Sequence, residues 1–381
     1  MNSCTGYLGT YAAGAHHSVC RFQLDCGSGA LSLPVPVLDA PDSKYLSLRG
    51  ALLACPLKKD GRAGILAARI DASGRVVPLA SYYGEQDAAC YILQDEDYIY
   101  TANYHEGSIL IYRRKAVSDH AAEDAGRMPE DTLQMSESPT GASPAANPSV
   151  GSLPVLEPAF RLETGDASGC HQVLCCGPFL YANCLLRDRM FIYDSRKQFA
   201  LTAEIPFPAG TGPRHGVMDH AQKRLFLTSE LSNELFVLGL ADPGRPEILG
   251  RVPVSPVAAA AGQAPAGAAI RLSQDEHFLY VSTRFSNTLS VFGVDGLRLT
   301  KLQEVSCGGD HPRDMILSPD GRWLLAANRY SDCLVSFPVD RATGLIGKPV
   351  SEAAVPQPVS IVFQASQQTA AEYMTAEEEK V

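Results

Sequence analysis

Residues 312–339 read PRDMILSPDGRWLLAANRYSDCLVSFPV, and the reading of this stretch decides the fold. Three short apolar runs, MIL, WLLAA and CLVSF, are separated by SPDGR and by NRYSD. The runs are rich in branched and aromatic residues, which is strand composition. The separators are turn chemistry, and in SPDGR the Asp and Gly serve a β-turn between a first and a second strand. The same layout returns in AIRLSQDEHFLYVSTRFSNTLSVFGV (269–294), RHGVMDHAQKRLFLTSELSNELFVLGL (214–240), CHQVLCCGPFLYANCLLRDRMFIYD (170–194) and CYILQDEDYIYTANYHEGSILIYRR (90–114). Residues 45–71 form a degenerate sixth copy. With insertions removed the copies recur at about 45 residues, the period of a propeller blade of four short strands.

The seventh copy is split. YLGTYAAGAHHSVCRFQLD (7–25) supplies outer strands but lacks the first one, and PQPVSIVFQ (356–364) has the composition of that missing strand. Pairing the two ends closes the ring and removes the open sheet edges that invite aggregation. The expected fold is therefore all-β: one seven-bladed β-propeller over 1–365, four antiparallel strands per blade, closed by N- and C-terminal strands. Residues 115–154 are rich in Ser, Pro, Ala and acids, and predict a disordered insertion. Residues 366–381 read as an acidic tail. PVSPVAAAAGQAPAGAA (253–269) reads as a disordered loop or as a flap over one face.

Composition narrows the partners. A net charge of -10 does not attract nucleic acid or an anionic membrane, and no apolar run is long enough to span a bilayer. The N-terminal MNSCTGYLGTYAAG lacks the basic-then-apolar order of a signal peptide. Eleven scattered cysteines point to free buried thiols in a reducing compartment, so the expected location is cytoplasmic. The pair at 16–17, two histidines, has no evident third ligand, and no cluster has metal-ligand spacing, so neither metal nor cofactor is expected. A monomer or weak homodimer acting on a small anionic molecule fits this profile.

Aligning the copies on the end of the third strand yields a column at the end of each second strand: Tyr104, Leu185, Glu230, Arg284 and Arg329. The opening positions of the first strands yield another: His171, Arg214 and Arg313, with His215 adjoining. Successive strands run antiparallel, so both columns lie at the same end of the ring, at the mouth of the central channel. His171, Arg214, His215, Glu230, Arg284 and Arg313 are thereby candidates for one site built from four consecutive blades. Solvated rim residues are the plainer reading of any one of them. Clustered cations on an acidic chain, however, call for an anion.

The motifs YLGTYAAG, GCH, GPRH followed by SEL, FLYVSTR and HPRDMILSPDGRWLLAAN resemble those of the seven-bladed propeller lactonases, a family that includes bacterial 6-phosphogluconolactonases and fungal carboxymuconate lactonizing enzymes. The resemblance covers the chain outside 115–157 and the tail. It implies roles in the site for the His of GCH, the Arg of GPRH, the Glu of an NEL motif (here SEL) and an Arg of the next blade: His171, Arg214, Glu230 and Arg284. It implies a hydrolase opening a sugar lactone, with 6-phosphogluconolactone, a substrate of the pentose phosphate pathway, as the first expectation. In that reading Glu230 or His171 is the general base, Arg214 faces the developing oxyanion, and Arg284, Arg313 and His215 bind substrate. A lactonizing cycloisomerase, a lactonase for another anionic ring, and a non-enzymatic protein-binding propeller remain the alternatives.

Overall fold

A computed structural model of the chain describes residues 3–11, 19–114, 156–255 and 263–364. The proposed insertion (115–154), His16 and His17, the central part of 253–269 and the acidic tail lie outside the described residues.

Among the described residues twenty-eight strands form seven sheets of four, with every neighbouring pair antiparallel. The described residues contain no α-helix, only 3-10 turns at Leu185–Arg187 and Ser195–Lys197. In the fourth blade the chain enters on the innermost strand, Cys170–Cys176, and works outward through Phe179–Cys184, Arg189–Asp194 and Ala200–Pro206. The second, third, fifth, sixth and seventh blades repeat that order. Residues 115–155 fall between the third and outermost strands of the third blade.

The split copy closes the ring as its composition predicts. Pro358–Phe363 is the innermost strand of the first blade and pairs with Ser3–Thr10, Gly6 opposite Phe363 and Leu8 opposite Ile361. Across this seam the Trp323 indole N–H donates to the Cys26 carbonyl at 3.0 Å, and the Ser336 hydroxyl donates to the Gly29 carbonyl at 2.6 Å.

Burial explains why the middle strands lack a two-residue alternation. A sheet standing between two others is covered on both faces, so WLLAAN (323–328) is buried throughout and FLYVSTR (278–284) almost throughout. The outermost strand EILGRVP (247–253) alternates exposed and half-buried positions, as a sheet edge should. The core is accordingly divided into seven apolar clusters, one at each contact between adjacent blades. SPDGR forms its turn, with the Gly321 N–H donating to the Ser318 carbonyl and Gly321 at φ +69. This turn lies at the opposite end of its strand from Arg313. All eleven cysteines are free.

Candidate active site

The three innermost strands that open on candidate site residues each carry a β-bulge at the same level. Pairing skips from Cys170 to Gln172, from Pro213 to His215 and from Pro312 to Asp314. The skipped residues are His171, Arg214 and Arg313. A bulge breaks the in-out alternation, so two consecutive residues can serve the channel. His171 with Gln172, Arg214 with His215, and Arg313 with Asp314 are the doublets produced. Glu230 follows the second strand of the fifth blade, its N–H held by the Gly212 carbonyl at 2.7 Å, and Arg284 ends the second strand of the sixth.

The two columns meet. Arg214 Nε donates to Glu230 Oε2 at 2.9 Å, and Arg284 Nη2 reaches the same oxygen at 2.7 Å. The Arg214 and Arg284 side chains are 1% and 6% exposed, Glu230 22%, so the carboxylate is the open edge of the cluster. Burial pushes the Glu230 carboxyl up, but the charges of Arg284 and Arg214 outweigh it and hold the group below the ordinary 4.5. Burial, with Arg284 and Arg313 nearby, lowers the Arg214 guanidinium to about 9, still charged at neutrality. Among the described residues the buried Arg284 Nε–H meets no hydrogen-bond acceptor. A second glutamate, Glu234, opens the next strand and faces Arg251 at 3.5 Å.

A proton chain of fixed direction runs through the histidines. Arg214 Nη1 lies 3.3 Å from His215 Nδ1, and His215 Nε2 lies 3.1 Å from His171 Nδ1. A guanidinium nitrogen only donates, so His215 Nδ1 accepts. Burial, reinforced by the charge of Arg214, lowers both histidines well below 6.5, so each is neutral and carries one proton. His215 therefore donates from Nε2, His171 accepts at Nδ1, and His171 carries its N–H on Nε2. Expected to touch substrate, His215 has both ring nitrogens committed and its ring edge-on to Tyr45 and Tyr91, so it positions His171 instead.

A model of the family described as Lactonase, 7-bladed beta-propeller matches residues 5–363. The chain belongs to this family. It is 27% identical to a 6-phosphogluconolactonase of Bacillus subtilis (strain 168) over 372 residues, 95% of this chain and 99% of that one. Among solved structures, a periplasmic gluconolactonase of Pseudomonas aeruginosa superposes with a TM-score of 0.78 at 24% identity, covering 96% of this chain and 99% of that one. A putative 6-phosphogluconolactonase of Bacteroides fragilis gives 0.74 at 23%, covering 95% and 98%. At these identities the two structures speak for the fold.

Below its cation cluster this lactonase-family propeller has a floor of residues that the sequence columns do not contain. Arg271 Nη2 meets Asp314 Oδ1 at 2.7 Å, and Asp314 Oδ2 accepts the Ile361 N–H at 2.9 Å. Gln172 accepts the Gly216 N–H at 2.6 Å and donates to the Tyr91 hydroxyl at 3.1 Å. Tyr45 and Tyr91, 4.3 Å apart, touch His215 on one side and line a cavity of about 540 Å³ on the other, at the far end of the channel.

Gly267 is fitted against the site with no room for a side chain. A Cβ there would sit 2.2 Å from the Ser229 carbonyl oxygen and 2.6 Å from Thr228 Oγ1. The Gly267 carbonyl accepts from Arg284 at 3.4 Å, and that of Ala268 accepts from Arg214. Gly267→Ala should force the fifth and sixth blades apart, costing about 1–3 kcal/mol of stability and part of kcat/KM. A thermal melt beside a steady-state assay checks this; a variant with unaltered Tm and rate would show that the junction yields freely.

Proposed function

We propose that this protein hydrolyses 6-phosphogluconolactone to 6-phosphogluconate. The observation that carries the reading is the cluster itself: buried guanidiniums gathered around one carboxylate, on a chain of net charge -10, inside a lactonase-family fold. Such an excess of cations suits an anionic substrate and an oxyanion formed on its carbonyl.

The roles follow from protonation state. Glu230, ionised and at the open edge, accepts a proton from the water that attacks the lactone carbonyl. The carbonyl oxygen becomes an oxyanion facing the Arg214 and Arg284 guanidiniums and the neutral His171 Nε2–H. On collapse the C–O bond to the ring oxygen breaks, and Glu230 returns the proton to that oxygen. Because its paired arginines make it a strong acid once protonated, Glu230 gives the proton up readily. His171 stabilises charge as a hydrogen-bond donor, in the tautomer set by Arg214 through His215.

Freshly prepared 6-phosphogluconolactone, followed by coupled oxidation of the acid produced, tests the reading. The expected result is a rate above the spontaneous one, proportional to enzyme. Folded protein giving no such rate rejects it, and turnover of a carboxymuconate instead would assign the same residues to lactone formation.

A further inference from the structure

A second group of cations, joined to the Glu230 cluster through Arg313, surrounds one phenol ring. Lys44 Nζ lies 5.7 Å from the centroid of Tyr11, the Arg313 guanidinium 5.5 Å and that of Arg329 4.2 Å. Arg313 Nη2 also donates to the Tyr11 hydroxyl at 3.4 Å, and Arg329 Nε and Nη2 reach Gln357 Oε1 at 3.4 Å. Among the described residues the Lys44 ammonium has the Ala88 carbonyl, at 3.4 Å, as its hydrogen-bond partner. Among the described residues none of the three forms an ion pair with a carboxylate; those found in the site go to Arg214 and Arg284. Beside them His311 is 2% exposed, and neither of its ring nitrogens has a hydrogen-bond partner among the described residues.

The arrangement is costly unless something fills it. A cation over a phenol ring gains about 0.5–2 kcal/mol, and three cations sharing one ring repel each other. A carboxylate is planar, carries one charge and is satisfied by a single forked guanidinium. A phosphomonoester carries close to two charges and three acceptor oxygens pointing in different directions, which suits donors converging from separate chain segments. The segments here are indeed separate: Tyr11 follows the first strand, Lys44 precedes the second blade, and Arg313 and Arg329 belong to the seventh.

We propose that Lys44, Arg313 and Arg329, arranged about Tyr11, form the subsite that holds the phosphate of the substrate, at the seam where the ring closes. The proposal rests on the lactonase reading for the identity of the substrate, but not for the chemistry of the phosphate. It divides the labour: Glu230, Arg214, Arg284 and His171 treat the lactone carbonyl, and the seam decides whether a phosphorylated ring is preferred.

The test is calorimetric titration of the full-length protein with 6-phosphogluconate and with gluconate, for the parent, Lys44→Gln and Arg329→Gln. The parent should bind the phosphorylated acid at least tenfold more tightly, and each substitution should shrink that ratio tenfold or more. Lys44→Gln leaves the Gln357 contact intact, so it keeps the test open should Arg329→Gln fold poorly. A parent without preference, or a preference kept in Lys44→Gln, overturns the subsite. Preferential binding that depends on Lys44, together with no hydrolysis of the phosphorylated lactone, leaves the subsite standing and removes the lactonase reading. Hydrolysis without discrimination does the reverse.

Discussion

Glu230→Gln is expected to lower kcat by roughly 10²–10⁴, with KM flat or reduced. The amide keeps the shape of the side chain and one oxygen for Arg214 and Arg284, but it cannot take a proton from water. Removing the negative charge leaves the guanidiniums less compensated, so an anionic substrate should bind no worse. Loss of a buried counter-charge also destabilises, by a few kcal/mol where a partner is removed outright. A melt with and without 6-phosphogluconate therefore belongs beside the kinetics. The ligand should recover part of the lost stability, because it restores negative charge among the same arginines. Full kcat in Glu230→Gln with loss in His171→Ala would move the base to His171, and would require the His215–His171 chain to run opposite to the direction derived above.

Acidification should unfold the protein well before its carboxylates titrate. His171, His215 and His311 are 4%, 2% and 2% exposed. Burial first, and neighbouring arginine charges second, hold His171 and His215 well below 6.5 and lower His311 to about 3. Each group has a folded pKa below its unfolded value, so the unfolded chain takes protons that the native state refuses. The stability they contribute is complete above about pH 6.5 and is lost as pH falls below it, for His311 down to about 3. Each contributes up to about 1.4 kcal/mol per pH unit in that window, so the three together reach about 4. Urea unfolding at pH 7.5, 6.5, 5.5 and 5.0 reads the slope directly. Stability that stays level from 6.5 to 5.0 would show that these imidazoles reach water. His311→Asn should shallow the slope by about one proton.

The blades were legible because a strand covered on both faces spells itself as an unbroken apolar run, and WLLAAN and FLYVSTR do so plainly. The split seventh copy was legible for the same reason, in PVSIVF. The site columns were legible because each inner strand begins at a fixed distance from its turn. Gln172, Asp314 and Arg271 were not. Strand alternation sends the neighbour of an inward residue outward, and the bulges at His171, Arg214 and Arg313, with a further register shift between Gly267 and Ile270 beside Arg271, cancel that rule. The signal was present as a recurrence: His-Gln, Arg-His and Arg-Asp, adjacent polar pairs each opening an inner strand. Tyr11 and Lys44 were harder, because one follows a strand of the split copy, the other precedes the degenerate copy, and they meet Arg313 and Arg329 only after the ring has closed.

The closing strand has a bearing on synthesis at the ribosome. Pro358–Phe363 is the innermost strand of the first blade, yet the last of the twenty-eight to be translated. Until it emerges, Ser3–Thr10 has no inner partner, and the cluster of Leu8, Phe22, Trp323, Leu325 and Ile361 is incomplete. A nascent chain with six finished blades thus still presents an open sheet edge and an apolar face at each end of its arc. Messages truncated even a few codons before residue 358 would yield chains held in that state, substrates for chaperones and proteases. The full-length product passes from such a chain to a closed ring only once its final strand is free to pair with Ser3–Thr10.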